Sequence, residues 1–265
     1  MSQSLGALCS EQNRVVIKAM GIGEAGDVAL KRASQGKEWS IEILPAFIDD
    51  LKSTQRNLAD VDLLLLAIDA DSKENVGSTC ALIDVAKSEK ILVFSVALFS
   101  SESQKDSSEA LARLEAKTDA LLIVPKTSGE HESESDAFAD TLRVLRSCLK
   151  LMLETEMDIC VDFSDLKELL TNTGRAFLGI GLGKGEESAV LAAREALNKP
   201  VTGRLPSKFT KVIVCLETVD SATIFEIQKA VEVIARACAE DAQILWGHAA
   251  NAGMGNTSRV VVLAA

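Results

Sequence analysis

Tyrosine is absent from the 265 residues, proline occurs four times and histidine twice. So few prolines, with a hydrophobic content of 47%, exclude an unstructured chain and place this one among folded globular proteins with ample length for a core. Cations are also scarce: 28 Lys and Arg stand against 39 Asp and Glu, a net charge of −11. That deficit excludes a nucleic-acid binder, because neutralising phosphates needs clustered Lys and Arg. It likewise excludes direct binding to an anionic membrane surface. No apolar run approaches the ~18–20 residues of a membrane span. Met1 to Arg14 has neither the basic start nor the apolar block of a signal peptide, and the stretch before Cys9 is too short for a lipid-anchored export signal.

The six cysteines (Cys9, Cys80, Cys148, Cys160, Cys215 and Cys238) never form a C-x-x-C pair, and most lie in apolar stretches. They read as reduced core thiols of a cytoplasmic protein. His131 and His248 have no second ligand at metal-site spacing, so neither a metal centre nor a His-based triad is expected. No Ser, Thr or Cys has a base partner in the sequence that would support nucleophilic catalysis.

What is present is an alternation of short β-rich runs with helical patterns. Val15–Met20, Ile41–Leu44, Val61–Ile68, Ile91–Phe99 and Ala120–Val124 are strand-length apolar runs, and a helix start is expected at Pro45. Continuous apolar strands between helices predict an α/β fold with a doubly wound parallel sheet. The polar stretches Ser100–Glu109 and Ser128–Ser135 read as exposed loops. From Asp136, Phe138, Leu142, Leu145, Leu149 and Met152 keep one helical stripe while Val144, Cys148 and Leu151 supply a second. A helix apolar on two faces is buried on two sides, as a central spine would be. Beyond it, Ala176–Leu182, Lys211–Leu216, Gln243–Trp246 and Arg259–Leu263 read as strands, with helices over Glu186–Ala196 and Asp220–Glu240. This second half is smaller and α+β. The expected division is 1–135, a central helix over 136–157, and 158–265.

Two glycine-rich segments raise the question of phosphate. Gly21, Gly23 and Gly26 follow a strand and open a helix with G-x-G-x-x-G spacing. Glu24 and Asp27, however, place carboxylates where an anion would sit, and Glu42 is poorly placed to serve as the acid of a dinucleotide site. A tight strand–helix turn is the better reading. Gly179–Gly185 misses the P-loop spacing and reads as a turn at a strand end.

The segment Met157-Asp158-Ile159-Cys160-Val161-Asp162-Phe163-Ser164-Asp165-Leu166 resembles the synergy loop of bacterial FtsZ, usually N-V-D-F-A-D. Gly174-Arg175-Ala176-Phe177-Leu178-Gly179 and Gly185-Glu186 are similar to that family's next strand and turn, Gly21–Gly26 to its first phosphate loop, and Asp136-Ala137-Phe138 to the opening of its central helix. The resemblance runs nearly end to end and implies a diverged member of the FtsZ/tubulin family. It implies that family's fold: a nucleotide-binding-type domain, a long central helix and a smaller C-terminal domain.

The departures fall on the nucleotide site. The family's G-G-G-T-G-T-G signature is replaced by Asp71-Ser72-Lys73-Glu74-Asn75-Val76-Gly77, and its G-G-A-G-G-N by Gly23-Glu24-Ala25-Gly26-Asp27-Val28. Leu142 and Arg143 stand where the guanine-reading Asn and its Asp neighbour are expected, Glu102 and Asp106 where a Glu/Arg pair is. The segment before Val61 is dozens of residues shorter than the family's. Gly21, Gly23, Gly26 and Gly77 are then vestiges of nucleotide loops, with no GTP bound, no cofactor and no enzymatic activity. In the synergy loop, Asp162 and Asp165 keep the two acidic positions and Cys160 replaces the Asn. These residues are candidates for a longitudinal subunit contact; equally, the two acids would cap the following helix.

The resemblance implies a head-to-tail polymer of the chain with itself, formed without nucleotide, salt acting on it through acidic facing loops that Lys73 and Arg143 offset. The alternative partner is an authentic FtsZ, capped through the synergy-loop face. A third reading is an enzyme with a new use for the cleft. With Ala265 as its last residue, the chain lacks the tail by which FtsZ reaches membrane adaptors, so that route to a membrane is not expected.

Overall fold

The computed structural model describes residues 15–35, 40–45, 51–99, 106–126, 131–153, 159, 161–202, 208–219 and 221–265, and every structural statement concerns those residues. They divide into two units, one of residues 15–146 with 170–176, the other of residues 147–169 with 177–265.

The first unit carries β1 (Ile17–Ile22), α1 (Gly23–Ser34), β2 (Glu42–Leu44), α2 (Leu51–Asn57), β3 (Leu63–Asp69), α3 (Lys73–Ser88), β4 (Leu92–Phe99), α4 (Asp106–Lys117), β5 (Ala120–Pro125) and, later in the chain, β6 (Gly174–Arg175). The strands form one wholly parallel sheet in the order β2-β1-β3-β4-β5-β6. Leu63–Ile68 and Ile91–Leu98 are buried without a break, as strands covered on both faces must be. From β3, Leu64, Leu66 and Ile68 enter a core with Val76, Cys80, Ile83 and Ala86 of α3 and Leu114 of α4. On the alternate residue, Ala67, the backbone is approached by Gly26 of α1 so closely that any Cβ would collide with the carbonyl. Asp119 is 3% exposed; its carboxylate accepts the Val93 and Asn172 amides and pairs with Lys87, tying β4, α3 and the turn before β6 together. The direction of winding reverses between β1 and β3, and open α/β sheets bind ligands beyond the carboxyl ends of the strands at such a point.

The long helix α5 (His131–Leu153) follows. Phe138, Leu142, Leu145, Leu149 and Met152 are all buried, and so are Cys148 and Leu151 on the second stripe. The helix starts at His131 rather than Asp136, and α4 at Asp106, so parts of both expected loops are helical. Acidic residues and serines suit a helix's first turn, which polarity alone does not reveal.

In the second unit lie α6 (Phe163–Leu170), β7 (Phe177–Lys184), α7 (Ser188–Asn198), β8 (Pro200–Thr202), β9 (Phe209–Thr218), α8 (Ile224–Ala235), β10 (Cys238–Ala250) and β11 (Thr257–Ala264). Its sheet has the order β10-β9-β11-β7-β8; β10 runs parallel to β9, and β11 antiparallel to both β9 and β7. Gly179–Gly185 is not the expected turn. Gly179, Gly181 and Gly183 lie within β7, and a Cβ on any of them would strike the backbone of α7 at Ala196, Ala192 or Ser188. The alternating glycines are what lets α7 lie against the strand. Phe177 and Phe209 close that core with ring centroids 5.1 Å apart.

The helix expected over Asp220–Glu240 is shorter. Thr223 caps it, the Glu226 amide donating to its hydroxyl at 3.3 Å, and the chain has turned into β10 by Cys238. Ile227 and Ile234 are buried as the stripe required, whereas Ile224 is 57% exposed. Glu226 also accepts the Ala189 amide at 3.1 Å, so one side chain of α8 caps α7.

Candidate functional site

At the carboxyl end of the parallel sheet the glycine segment is tighter than a loop. β1 runs through Ile22 and α1 begins at once on Gly23, whose φ of 76° is what makes so abrupt a change of direction possible. No side chain caps α1, and Glu24 lies in its first turn. Gly21 and Gly26 are packing glycines: a Cβ on Gly21 would come within 2.6 Å of the Asp27 Cα, and Gly26 lies on Ala67.

The segment occupying the position of the family's signature loop is a helix start. Ser72 caps α3, accepting the Asn75 amide at 3.3 Å. The Asn75 side chain donates to the Asp69 carbonyl at 3.1 Å, and its amide packs so closely on Gly23 that a Cβ there would collide with it. The crevice between the ends of β1 and β3 is thus bridged by an Asn side chain rather than lined by backbone amides. Asp69 turns a buried carboxylate oxygen, Oδ1, that has no hydrogen-bond partner among the described residues. Asp71 is engaged by Lys126 at 2.6 Å. Gly77 is different from the other glycines, since a Cβ on it would meet nothing within 4 Å. No packing demand explains a glycine inside α3.

On α5, Leu142 is fully buried and presents no polar group to a base, while Arg143 bonds Asp140 and the Arg32 carbonyl. Glu102 and Cys160 lie outside the described residues, and Asp106 opens α4.

Asp162 and Asp165 stand at the start of α6. The Asp162 carboxylate accepts the Asp165 amide at 2.8 Å and the Ser164 hydroxyl at 2.6 Å, while the Asp165 carboxylate accepts the Asp162 amide at 3.2 Å. This is a reciprocal capping box. The Ser164 hydroxyl and then the Asp165 amide hold the Asp162 carboxyl below the usual carboxylate range, so it is ionised near neutrality. Each aspartate uses one oxygen in these bonds.

Just upstream, Ile159 and His248 exchange two backbone hydrogen bonds, of 3.2 and 2.9 Å. The His248 ring, 8% exposed, meets the Thr218 hydroxyl at 2.8 Å. Glu217, 6% exposed, binds Arg259 and Asn251 across neighbouring strands. Composition could not have predicted these polar groups, since the partners are dozens of residues apart. Burial pushes the Cys148 thiol up to about 12 and raises Cys215 well above its ordinary value, so neither is a nucleophile. Among the described residues no group of three His, Cys, Asp or Glu side chains is placed to hold a metal ion, and no helix is long and apolar enough to cross a membrane.

Residues 174–265 match the model of the FtsZ family C-terminal domain. Among solved structures, the chain is similar to an empty FtsZ dimer of M. jannaschii, with a TM-score of 0.79 and 18% identity over 100% of this chain and 92% of that one. It is also similar to CetZ2 from Haloferax volcanii, solved as a GTPgS-bound protofilament, with a TM-score of 0.68 and 14% identity over 94% of this chain and 92% of that one. CetZ from Methanosaeta thermophila gives a TM-score of 0.70 at 13% identity, over 94% and 86%. Residues 174–265 thus carry the match to the FtsZ C-terminal domain, and the chain as a whole has the fold of the FtsZ and CetZ structures.

Proposed function

We propose that this chain is a cytoskeletal protein of the FtsZ/tubulin type that neither binds nor hydrolyses GTP and assembles head-to-tail into filaments without nucleotide, in the cytoplasm. The observation that carries the reading is Asn75. Its side chain spans from the Asp69 carbonyl to Gly23, across the crevice where a phosphate chain would have to lie. The first turn of α3 spends the Asn75 amide on Ser72, and the acidic residues Glu24, Asp69 and Glu74 stand there against one cation, Lys73. A carboxylate ~4 Å from a phosphate charge costs about 1 kcal/mol in water and about 4 kcal/mol at an effective dielectric of ~20. Several such carboxylates outweigh the gain from one uncapped helix N-terminus.

A polymer without nucleotide needs protein contacts in its place. The oxygens of Asp162 and Asp165 that the capping bonds leave unused supply an acidic face, as the synergy loop does in the family's head-to-tail contact. A heterologous contact of that kind propagates unless rotation closes it. The same face supports a second reading, a cap on an authentic FtsZ: the acids are retained while the chain's own crevice is filled.

Nucleotide binding is tested by thermal melting with saturating GTP. A ligand bound to the native state alone would raise stability by about 2.7 kcal/mol at 100 times its Kd. For a chain of this size that is a rise of several degrees. No shift is expected; a rise would overturn the nucleotide-free reading.

A further inference from the structure

β10 is the longest strand among the described residues, 13 long, and it lies at the edge of its sheet. On its outer side the described residues provide one backbone partner, Ile159, in an isolated antiparallel pair with His248. That pair exchanges both hydrogen bonds, so His248 points its amide and carbonyl outward; by strand alternation Trp246 and Ile244 do the same. Neither has an outward backbone partner among the described residues. Toward the other end, the register with β9 breaks between Cys238 and Gln243. Among the described residues the open edge is therefore Gln243-Ile244-Leu245-Trp246-Gly247, closed at one end by Ile159 and at the other by the bulge.

Natural edge strands are guarded by Lys, Pro, bulges or inward charges. This run contains no charge and no proline, and its guards stand only at its limits: the bulge with Glu240 and Asp241, and Ile159. Ile244 and Trp246 are half-buried against the core of the unit, leaving apolar surface beside the open backbone.

We propose that this edge is a self-complementary contact at which two copies of the chain pair β10 with β10, antiparallel, about a two-fold axis through Leu245. In that register Ile244 of each copy lies opposite Trp246 of the other, and the outward amides and carbonyls of both residues are satisfied by four hydrogen bonds. Each Ile244 side chain meets a Trp246, an aliphatic–aromatic cross-strand pair. The one-residue alternative registers would turn outward groups against inward ones. Charge selects the same arrangement. Parallel pairing would set Asp241 beside Asp241, whereas the antiparallel register separates them by eight residues, roughly 27 Å at strand rise and well beyond a Debye length of about 8 Å.

Five residues bury far less than the ~1,600 Å² of a standard interface, so two single molecules pair weakly. Between filaments the contact repeats with every subunit and gains by avidity, joining filaments of opposite polarity. That last step rests on the filament reading; the two-fold contact does not.

The test uses the full chain. Amide hydrogen exchange is followed at Ile244 and Trp246 at low concentration and at a concentration about ten times the Kd found by sedimentation, where mass action leaves about one fifth of the chains monomeric and predicts about fivefold slower exchange. Identical exchange rates at both would overturn the contact without any mutation. Leu245→Lys and Leu245→Glu each set like charges across the axis and are expected to abolish association alone, while an equimolar mixture restores it. Association of either variant alone at wild-type strength, or a mixture that stays apart, would also overturn it. Protection of these amides without filaments would sink the filament reading and leave the two-fold contact standing.

Discussion

Asp162 and Asp165 hold each other's backbone: each carboxylate accepts the other's amide, at 3.2 and 2.8 Å, and together they close the start of α6. The two acids proposed for a subunit contact are thereby structural as well, since they cap α6. Replacing Asp162 by Ala removes the acceptor for two donors and is expected to cost about 1 kcal/mol, within the usual 0.5–2 kcal/mol for an N-cap. Urea unfolding of Asp162→Ala against wild type measures it. No loss of stability would show that the box contributes nothing.

The same residue sets a pH dependence. The folded-state carboxyl of Asp162 is depressed by the Ser164 hydroxyl and the Asp165 amide, so its contribution is fully present above the ordinary carboxylate pKa of about 4. It is lost as the pH falls through the lower folded-state value. Stability measured from pH 5 downward is expected to fall more steeply in wild type than in Asp162→Asn. Equal slopes would contradict the assignment.

Gly181 and Gly77 are predicted to respond in opposite directions. Gly181→Ala drives a methyl into the α7 backbone at Ala192 and is expected to destabilise by at least the ~1–3 kcal/mol typical of overpacking. Gly77→Ala puts a methyl into open space within a helix and is expected to stabilise by about 0.5–1 kcal/mol. Thermal unfolding of the two variants side by side is the check. A Gly77→Ala variant that is less stable than wild type would mean that this glycine serves the fold after all.

Much of this architecture was legible in the residues. Val61–Ile68 and Ile91–Phe99 read as apolar runs, and the sheet buries Leu63–Ile68 and Ile91–Leu98 within them on both faces. The two stripes of α5 were visible as spacing, and both are buried except for half-buried Val144. The failures share one physical cause: short-range composition does not report what lies opposite. Gly179, Gly181 and Gly183 look like a turn until α7 is known to lie on them. Asn75 looked like one more departure from a glycine loop, and only the fold places it against Gly23. Glu217, Arg259 and Asn251 meet across strands, a pairing that no local pattern records. The Asp162–Asp165 box, by contrast, was readable, because an i to i+3 pair of acids before a helix is local.

Assembly itself is the most direct test of the central claim. Purified protein is pelleted and viewed by negative-stain microscopy with and without GTP, at low and high salt. Ordered filaments in equal yield with and without GTP, with a yield that changes with salt, are what the proposed nucleotide-free assembly through an acidic contact predicts. Filaments that appear only with GTP would contradict the account, and a monomer under every condition would transfer it to the capping of an authentic FtsZ.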